Sequence, residues 1–176
     1  NWSNFWSKDE YVNTGASTTL SSTTTLIEQG ATLSQGKKDL AVCHDEATDK
    51  FYSFGGYYME GSTSTYSSTT EQYDPAADTV ATSSIGNLPV ELRGHSCASV
   101  DSSSIYLLGG YNNSSSTFND VVYKFDPSSP GNAVENTGYS INQGRKDAPV
   151  VYASNTGKVY LFGGYYLDAN KDPVYS

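Results

Sequence analysis

Side chains that commonly carry catalysis are scarce in this sequence of 176 residues. It contains two histidines, His44 and His95, and two cysteines, Cys43 and Cys97. The histidines fall near neighbouring predicted strands without forming a ligand set, so we interpret them as satisfied strand residues rather than metal ligands or a general base. The sequence has no nucleophile elbow and no glycine-rich phosphate loop. We therefore assign no catalytic residue and expect no cofactor and no metal site.

Two further groups of residues could support chemistry but favour simpler interpretations. Asp45, Glu46 and Asp49 share one predicted turn and could hold Ca²⁺ weakly, although a solvated acidic turn is the favoured interpretation. Two cysteines are too few for a disulfide framework or a cysteine-based zinc site. We expect Cys43 and Cys97 to be unpaired, buried small hydrophobes.

Charge and composition narrow the classes of partner. The formal net charge is −9, with 10 lysines and arginines against 19 acidic residues, so no basic field is available for nucleic acid. No apolar run is long enough for a transmembrane segment. Scarce lysine, abundant serine and threonine, and three N-glycosylation sequences favour an extracytosolic protein, secreted or lumenal, over a cytoplasmic one. The candidate acceptors are Asn1, Asn112 and Asn113.

A repeated sequence gives the strongest structural signal. An apolar run ending in two glycines and a tyrosine occurs three times, and 54 residues separate Gly55 from Gly109 and Gly109 from Gly163. The same spacing relates Cys43 to Cys97, which chance matches of one short motif would not do. Such a period predicts a repeat architecture.

Each repeat predicts four short strands and almost no helix, because no segment has a sustained 3.6-residue period. Tyrosine, serine and threonine suit half-buried strands and turns. The second strand is the apolar run before the double glycine, and a polar loop follows it. The other predicted strands are 40–43, 96–100 and 149–152 for the first position, 70–73 and 121–125 for the third, and the surroundings of Val80 and Val134 for the fourth.

These features resemble the kelch motif: a double glycine after an apolar run, an aromatic residue that closes a later strand, and a repeat of about 50 residues. The resemblance implies an all-β, kelch-type β-propeller with one four-stranded antiparallel blade per repeat. The kelch pattern also has a tryptophan after the closing aromatic residue, and Val80 and Val134 stand there in this sequence. A β-branched apolar residue can still pack between blades.

Three repeats predict an incomplete ring, because propellers typically close with about four to eight blades. We expect the whole protein to contain further chain. We interpret the aromatic N-terminal segment, which contains Trp2, Phe5, Trp6 and Tyr11, as a plug or as part of a preceding blade. Alternatively, it is a docking segment for another subunit. The predicted divisions are an aromatic, then Ser/Thr-rich N-terminal segment (1–23), a possible outer strand of a preceding blade (24–34), two kelch repeats (35–88 and 89–142) and a truncated third repeat (143–176).

The function that this resemblance favours is a non-catalytic interaction or scaffolding module that binds a protein, or a glycan, through loop surfaces. In similar propellers, ligands meet residues after the double glycine and at the start of the inner strand. The first tyrosine after each glycine pair could instead pack against an adjacent blade. The partner-binding candidates are Tyr57, Tyr58, Tyr111, Asn112, Tyr165, Tyr166, Lys38, Asp39, Arg93, Lys146 and Asp147.

Two alternatives stay open. The chain could be an architectural subunit of a large extracellular or lumenal assembly. It could also be a fragment of a kelch-fold enzyme similar to galactose oxidase-like copper oxidases or sialic acid mutarotases, with catalytic residues outside this chain. Fold resemblance alone does not decide between these functions.

Overall fold

The structure is a computed structural model that describes residues 14–19 and 25–176. Throughout these residues the regular elements are β-strands, as the repeat pattern predicts. In chain order they are β1 (Thr14–Thr19), β2 (Thr25–Thr32), β3 (Ala41–Asp45), β4 (Lys50–Phe54), β5 (Tyr57–Glu60), β6 (Thr63–Tyr66), β7 (Thr70–Asp74), β8 (Thr79–Ala81), β9 (Leu92–Asp101), β10 (Ser104–Asn112), β11 (Thr117–Phe118), β12 (Val121–Phe125), β13 (Glu135–Ser140), β14 (Val150–Ala153), β15 (Lys158–Leu161), β16 (Tyr165–Leu167) and β17 (Pro173–Tyr175).

The strands form antiparallel blades. Blade 1 has the order β3-β4-β7-β8, and blade 2 has the order β9-β10-β12-β13 with the short β11 also paired to β10. Blade 3 contributes β14 and β15. The described residues therefore form two four-stranded blades and the inner half of a third, and they do not close a ring.

The segments that follow the double glycines are more ordered than the sequence predicts. Polar loops are expected there, and this expectation is wrong: β5 pairs with β6, the end of β10 with β11, and β16 with β17. Tyrosine and threonine favour extended backbone, and aromatic residues stabilise a hairpin when they lie opposite each other. Each blade thus extends a short hairpin beyond its double glycine.

The main core lies between the facing sides of blades 1 and 2. Tyr52 and Phe54 of β4 contact Phe125 of β12, with ring centroids 4.8 and 5.4 Å apart. Ile105 and Val134 belong to the same buried cluster. Val134 occupies the position of the kelch tryptophan and is 3% exposed, so valine fills this interblade site. Burial of such side chains contributes about 1.5–3 kcal/mol each.

The two cysteines form a disulfide, so the prediction that they are unpaired is wrong. Their Cα atoms are 6.1 Å apart. Cys43 lies opposite Tyr52 in the β3–β4 ladder, whereas Cys97 lies opposite Leu107 in the β9–β10 ladder. The glycine spacing makes Tyr52 equivalent to Tyr106, so the inner strand of the second repeat is shifted by one residue. Since that shift exchanges the two faces of a strand, the cysteines face each other between the blades.

The double glycines have the structural role that the sequence predicts. Gly56 and Gly110 have φ angles of 87° and 92°, in the region that L-residues disfavour. A Cβ at Gly56 would lie 2.7 Å from the carbonyl oxygen of Lys38, and a Cβ at Gly110 would lie 2.9 Å from that of Arg93. The glycines therefore let the chain pass close to the backbone at or just before the start of each inner strand.

A buried ion pair holds the segment before β3 against blade 1. The Glu71 carboxylate accepts hydrogen bonds from Lys37 Nζ at 2.9 Å and from the Ser34 amide at 2.8 Å. Burial favours the neutral acid, but these hydrogen bonds outweigh it and the pKa of Glu71 is lowered. Glu71 is therefore a charged, fully paired anchor at this edge of the blade.

The first strands of the described chain form a separate two-stranded sheet, β1 with β2. The Ala31 amide, in β2, donates to Asp78 Oδ1 at 3.1 Å, which links this sheet to the turn before β8. No helix long and apolar enough to cross a membrane occurs in the part of the chain that the structure describes. The aromatic N-terminal segment and the acceptor Asn1 lie outside the described residues.

Candidate functional site: a cation–aromatic surface

Each repeat places a cross-strand aromatic pair just after its double glycine. The first member is the tyrosine that follows the glycines, and the second comes from the returning strand of the hairpin. All six side chains lie at the same end of the blades. The pairs are Tyr57 with Tyr66 (5.8 Å between ring centroids), Tyr111 with Phe118 (5.4 Å) and Tyr165 with Tyr175 (5.7 Å).

A cation from the start of the inner strand lies over the tyrosine of each pair. Backbone pairing sets this arrangement, because each cation is directly opposite its tyrosine. The distances to the ring centroids are 4.8 Å for Lys38 over Tyr57, 5.2 Å for Arg93 over Tyr111 and 5.3 Å for Lys146 over Tyr165, within the range of cation–π attraction. We call these three cations and six aromatic residues the cation–aromatic surface.

Contacts between blades make this surface continuous. The Arg93 guanidinium of blade 2 also lies 5.5 Å from the ring of Tyr57 and 5.4 Å from that of Tyr66, both in blade 1. Phe118 of blade 2 packs edge-on against Tyr165 of blade 3, with centroids 5.9 Å apart. The three repeats therefore present one joined surface rather than three separate sites.

Two aspartates partly neutralise the cations. Asp39 Oδ2 lies 4.0 Å from Arg93 Nη1, and Asp147 Oδ2 lies 3.3 Å from Lys146 Nζ. Burial disfavours the charged form of Lys146, but a hydrogen bond with Tyr165 and the charge of Asp147 outweigh it, so the pKa of Lys146 is raised. Lys146 therefore stays protonated at neutral pH.

A chain of backbone hydrogen bonds fixes the spacing of the three cations. The residues that follow them, Asp39, Gly94 and Asp147, all have positive φ, at 56°, 62° and 56°. The Gly94 amide donates to the Asp39 carbonyl and the Asp147 amide donates to the Gly94 carbonyl, both at 2.8 Å. The cations are thus held in register from blade to blade by main-chain contacts.

The structure brings together eight of the predicted partner-binding residues. They are Tyr57, Tyr111, Tyr165, Lys38, Arg93, Lys146, Asp39 and Asp147. Tyr58 and Tyr166 are adjacent to members of the surface in β5 and β16, and strand alternation directs them to the opposite side of their hairpins. Asn112 ends β10 and accepts a turn hydrogen bond from the Ser115 amide.

Sequence reasoning missed the second member of each aromatic pair and the contact of the Asn113 side-chain carboxamide with Arg93. Asn113 Oδ1 accepts a hydrogen bond from Arg93 Nε at 3.3 Å, so it orients the guanidinium. The presence of aromatic residues shortly after each Gly-Gly-Tyr could have indicated hairpins. The missed residues are Tyr66, Phe118, Tyr175 and Asn113.

Comparison with known proteins agrees with this architecture. Residues 92–130, which include β9 to β12, match the family model of the Kelch motif. The fold is therefore that of a kelch-type propeller fragment, with the Kelch motif itself matched in the second repeat. The solved structure of YjhT is similar, with a TM-score of 0.72 and 16% sequence identity. The similarity covers 93% of this chain and 59% of that one, so this chain spans a little over half of its length. No curated protein matches.

The kelch blades place the two histidines in different environments. His44 Nε2 lies 2.8 Å from Asp49 Oδ1 in the turn after β3, and its ring stacks on Phe51. His95 is buried in β9, and among the described residues neither ring nitrogen has a hydrogen-bond partner, so the expectation of a satisfied side chain is wrong for it. Burial lowers the pKa of His95 to about 3, so its imidazole is neutral.

The acidic turn of the first kelch repeat is organised by its own hydrogen bonds. The buried Asp45 carboxylate accepts from the Ala47 amide at 3.2 Å and from Thr48 Oγ1 at 2.5 Å. Among the described residues, no group of three or more histidine, cysteine or acidic side chains is arranged to hold a metal ion. Asp45 is thus a turn-stabilising residue.

Proposed function

We propose that this chain is a non-catalytic interaction module that binds a protein partner, or a glycan, at the cation–aromatic surface. The observation that carries the proposal is the threefold repetition of a cation over an aromatic pair, joined across blades. Kelch repeats generally mediate protein interactions, and tyrosine and arginine are enriched among the residues that dominate binding energy.

The surface is preorganised, which favours binding. Arg93 is oriented by Asn113 and by rings from two blades, so little side-chain entropy remains to be lost when a partner pairs with its guanidinium. Its side chain is 24% exposed, and a planar guanidinium retains donors for a carboxylate or a carbonyl group.

The distribution of charge also favours this end of the molecule. The whole chain has a net charge of −9 and only 10 lysines and arginines. Four of these cations lie beside the double glycines, where a partner would meet them. They are Lys38, Arg93, Arg145 and Lys146.

A catalytic role for this surface has less support. His44 lies near the end of β3 that is remote from the cation–aromatic surface, and His95, although it lies beside Gly55 and Gly110, is buried with a neutral imidazole, so neither side chain offers that surface an accessible acid or base. A reaction there would need other groups as acid or base. Binding is therefore the function that the described side chains favour.

The test compares two proteins that lose the same charge. Arg93→Ala removes the central cation, whereas Lys158→Ala removes an exposed cation at the start of β15, at the opposite end of the blade. Wild type and both variants are probed with a displayed peptide library and a glycan array. We expect ligands that bind wild type and Lys158→Ala and are lost with Arg93→Ala. Ligands retained equally by both variants, or no ligand for wild type, would overturn the proposal.

A second comparison separates binding from packing at the neighbouring tyrosines. Strand alternation directs Tyr58 and Tyr166 to the other side of their hairpins, so replacing both by alanine tests whether a ligand found above also contacts that side. If it does, we expect weaker binding with an unchanged melting temperature. Interface tyrosines commonly cost more than about 1 kcal/mol on truncation. A loss of stability without a specific loss of affinity would remove both residues from the proposed binding site.

A further inference from the structure

Two overlapping N-glycosylation sequences lie at the tip of the β10–β11 hairpin. Asn112 is followed by Asn113 and Ser114, and Asn113 is followed by Ser114 and Ser115. In either case the glycan would be attached through the side-chain nitrogen Nδ2. The environment of the two Nδ2 atoms therefore decides which asparagine can carry a glycan in the folded protein.

The side chain of Asn113 is held beside Arg93, with its nitrogen shielded from solvent. Its Nδ2 atom is buried and has no hydrogen-bond partner among the described residues, and its Oδ1 atom accepts the hydrogen bond from Arg93 Nε. The backbone N–H of Asn113 donates a hydrogen bond to the backbone carbonyl of Glu91 at 2.9 Å, so the main chain is fixed here as well. A sugar on Asn113 Nδ2 would have to expel this side chain from its place beside Arg93.

Asn112 is in the opposite situation. Its Oδ1 atom accepts a hydrogen bond from the Ser115 amide at 3.2 Å, which holds the carboxamide at the turn. Its Nδ2 atom is neither buried nor hydrogen-bonded within the described part of the chain. The residues that follow in the turn, 114–117, are exposed, so a bulky group on Asn112 would extend into solvent.

The disulfide supplies an independent observation on the compartment. Cys43 and Cys97 are bonded, and structural disulfides persist mainly in oxidising compartments such as the secretory lumen and the extracellular space. N-linked glycans are added in the same lumenal setting. We propose that this chain is an extracytosolic glycoprotein whose glycan at this hairpin is attached to Asn112 and not to Asn113.

The reaction requires a lipid diphosphate-linked oligosaccharide as donor and a transferase of the lumen. Nδ2 of Asn112 attacks the anomeric carbon of the donor, forming the N–C bond as the bond from that carbon to the diphosphate oxygen breaks. The proton leaves Nδ2 for a base of the transferase, and the lipid diphosphate is released. No oxidation or reduction occurs.

Two single substitutions distinguish the acceptors. Ser114→Ala destroys the acceptor sequence of Asn112 and keeps that of Asn113, whereas Ser115→Ala does the reverse. Wild type and both variants are secreted from yeast. Enzymatic deglycosylation in ¹⁸O-water converts each glycosylated asparagine into an ¹⁸O-labelled aspartate, which is located by peptide mass spectrometry.

We expect label at residue 112 in the wild type and in Ser115→Ala, and a loss of at least tenfold in occupancy in Ser114→Ala. Label at residue 113, or no label at either residue in secreted wild type, would overturn the inference. The readout does not depend on partner binding, so it is independent of the proposed function.

Discussion

Removing the Cys43–Cys97 disulfide is expected to destabilise the chain by about 4 kcal/mol. The bond joins residues with a sequence separation of 54. In the chain-entropy description, such a crosslink lowers the entropy of the unfolded chain in proportion to the logarithm of the loop length. For a loop of this size the description gives about 4 kcal/mol at 25 °C.

The folded structure determines how the bond should be removed. Cys43 is 7% exposed and belongs to the core cluster with Tyr52 and Phe125, so serine there would bury a hydroxyl at a further cost of about 1–3 kcal/mol. Alanine at both positions avoids that cost. The bonded strands β3 and β9 lie in different sheets, so no ladder of hydrogen bonds replaces the lost crosslink.

The assay is thermal and urea unfolding of the wild type, with and without dithiothreitol, and of the Cys43→Ala/Cys97→Ala variant. Both cysteines line an open cleft between the inner strands, which gives a reductant access. We expect reduction and the double substitution each to lower the melting temperature by roughly 8–16 °C, and the variant to be insensitive to the reductant. Two free thiols in the non-reduced wild type, or an unchanged melting temperature on reduction, would refute this reasoning.

Two further predictions concern stability. Lowering the pH from 7 to 5 should cost about 2 kcal/mol through His95, because burial lowers the pKa of the folded imidazole to about 3 while the unfolded one binds a proton below its ordinary pKa of about 6.5. This stabilisation is fully present above pH 6.5 and is lost as the pH falls toward 3. The urea midpoint should therefore fall between pH 7 and pH 5 in His44→Gln but not in His95→Gln. An equal fall in both variants would contradict this prediction. Gly110→Ala should be less stable than Gly61→Ala by about 1–3 kcal/mol. Both glycines have positive φ, so the cost in backbone strain is shared. A Cβ at Gly110 would lie 2.8 Å from the Cβ of His95, whereas a Cβ at Gly61 would have no atom within 4 Å. Equal melting temperatures would show that this close approach is not limiting.

The strands could be predicted from the sequence because each apolar run is bounded by turn residues and recurs at a constant spacing. The third strands are predicted at 70–73 and 121–125, and the structure has them at Thr70–Asp74 and Val121–Phe125. These assignments need only local pattern and period.

The pairing of the cysteines could not be predicted in the same way. Equal spacing from the double glycine suggests that the two cysteines occupy equivalent positions on neighbouring blades. Side chains at equivalent positions point in the same direction from their blades, so they do not face each other. The one-residue shift of β9 relative to β10 is a property of strand register, and register depends on contacts between strands rather than on spacing along the chain.

The candidate site was predictable only in part, for a related reason. Its first tyrosines directly follow the glycines and its cations precede them by 16 or 17 residues, so the repeat reveals them. The second aromatic residues follow hairpin turns of different length in each repeat, and Tyr66, Phe118 and Tyr175 therefore stand at unequal distances from the glycines. A period in the sequence cannot align residues that only cross-strand pairing brings together.

The middle repeat differs from its neighbours in having arginine where they have lysine, and this difference has a physical consequence. A lysine ammonium acts as a point charge over one ring, whereas the guanidinium of Arg93 is planar and contacts rings of both blade 1 and blade 2. Its position therefore depends on how the two blades pack against each other. The Cys43–Cys97 bond crosses the same interface. If binding occurs at Arg93, any change that loosens this interface should weaken binding along with stability, whereas substitutions at exposed positions of the outer strands, such as Thr79 of β8 and Glu135 of β13, should leave binding unchanged.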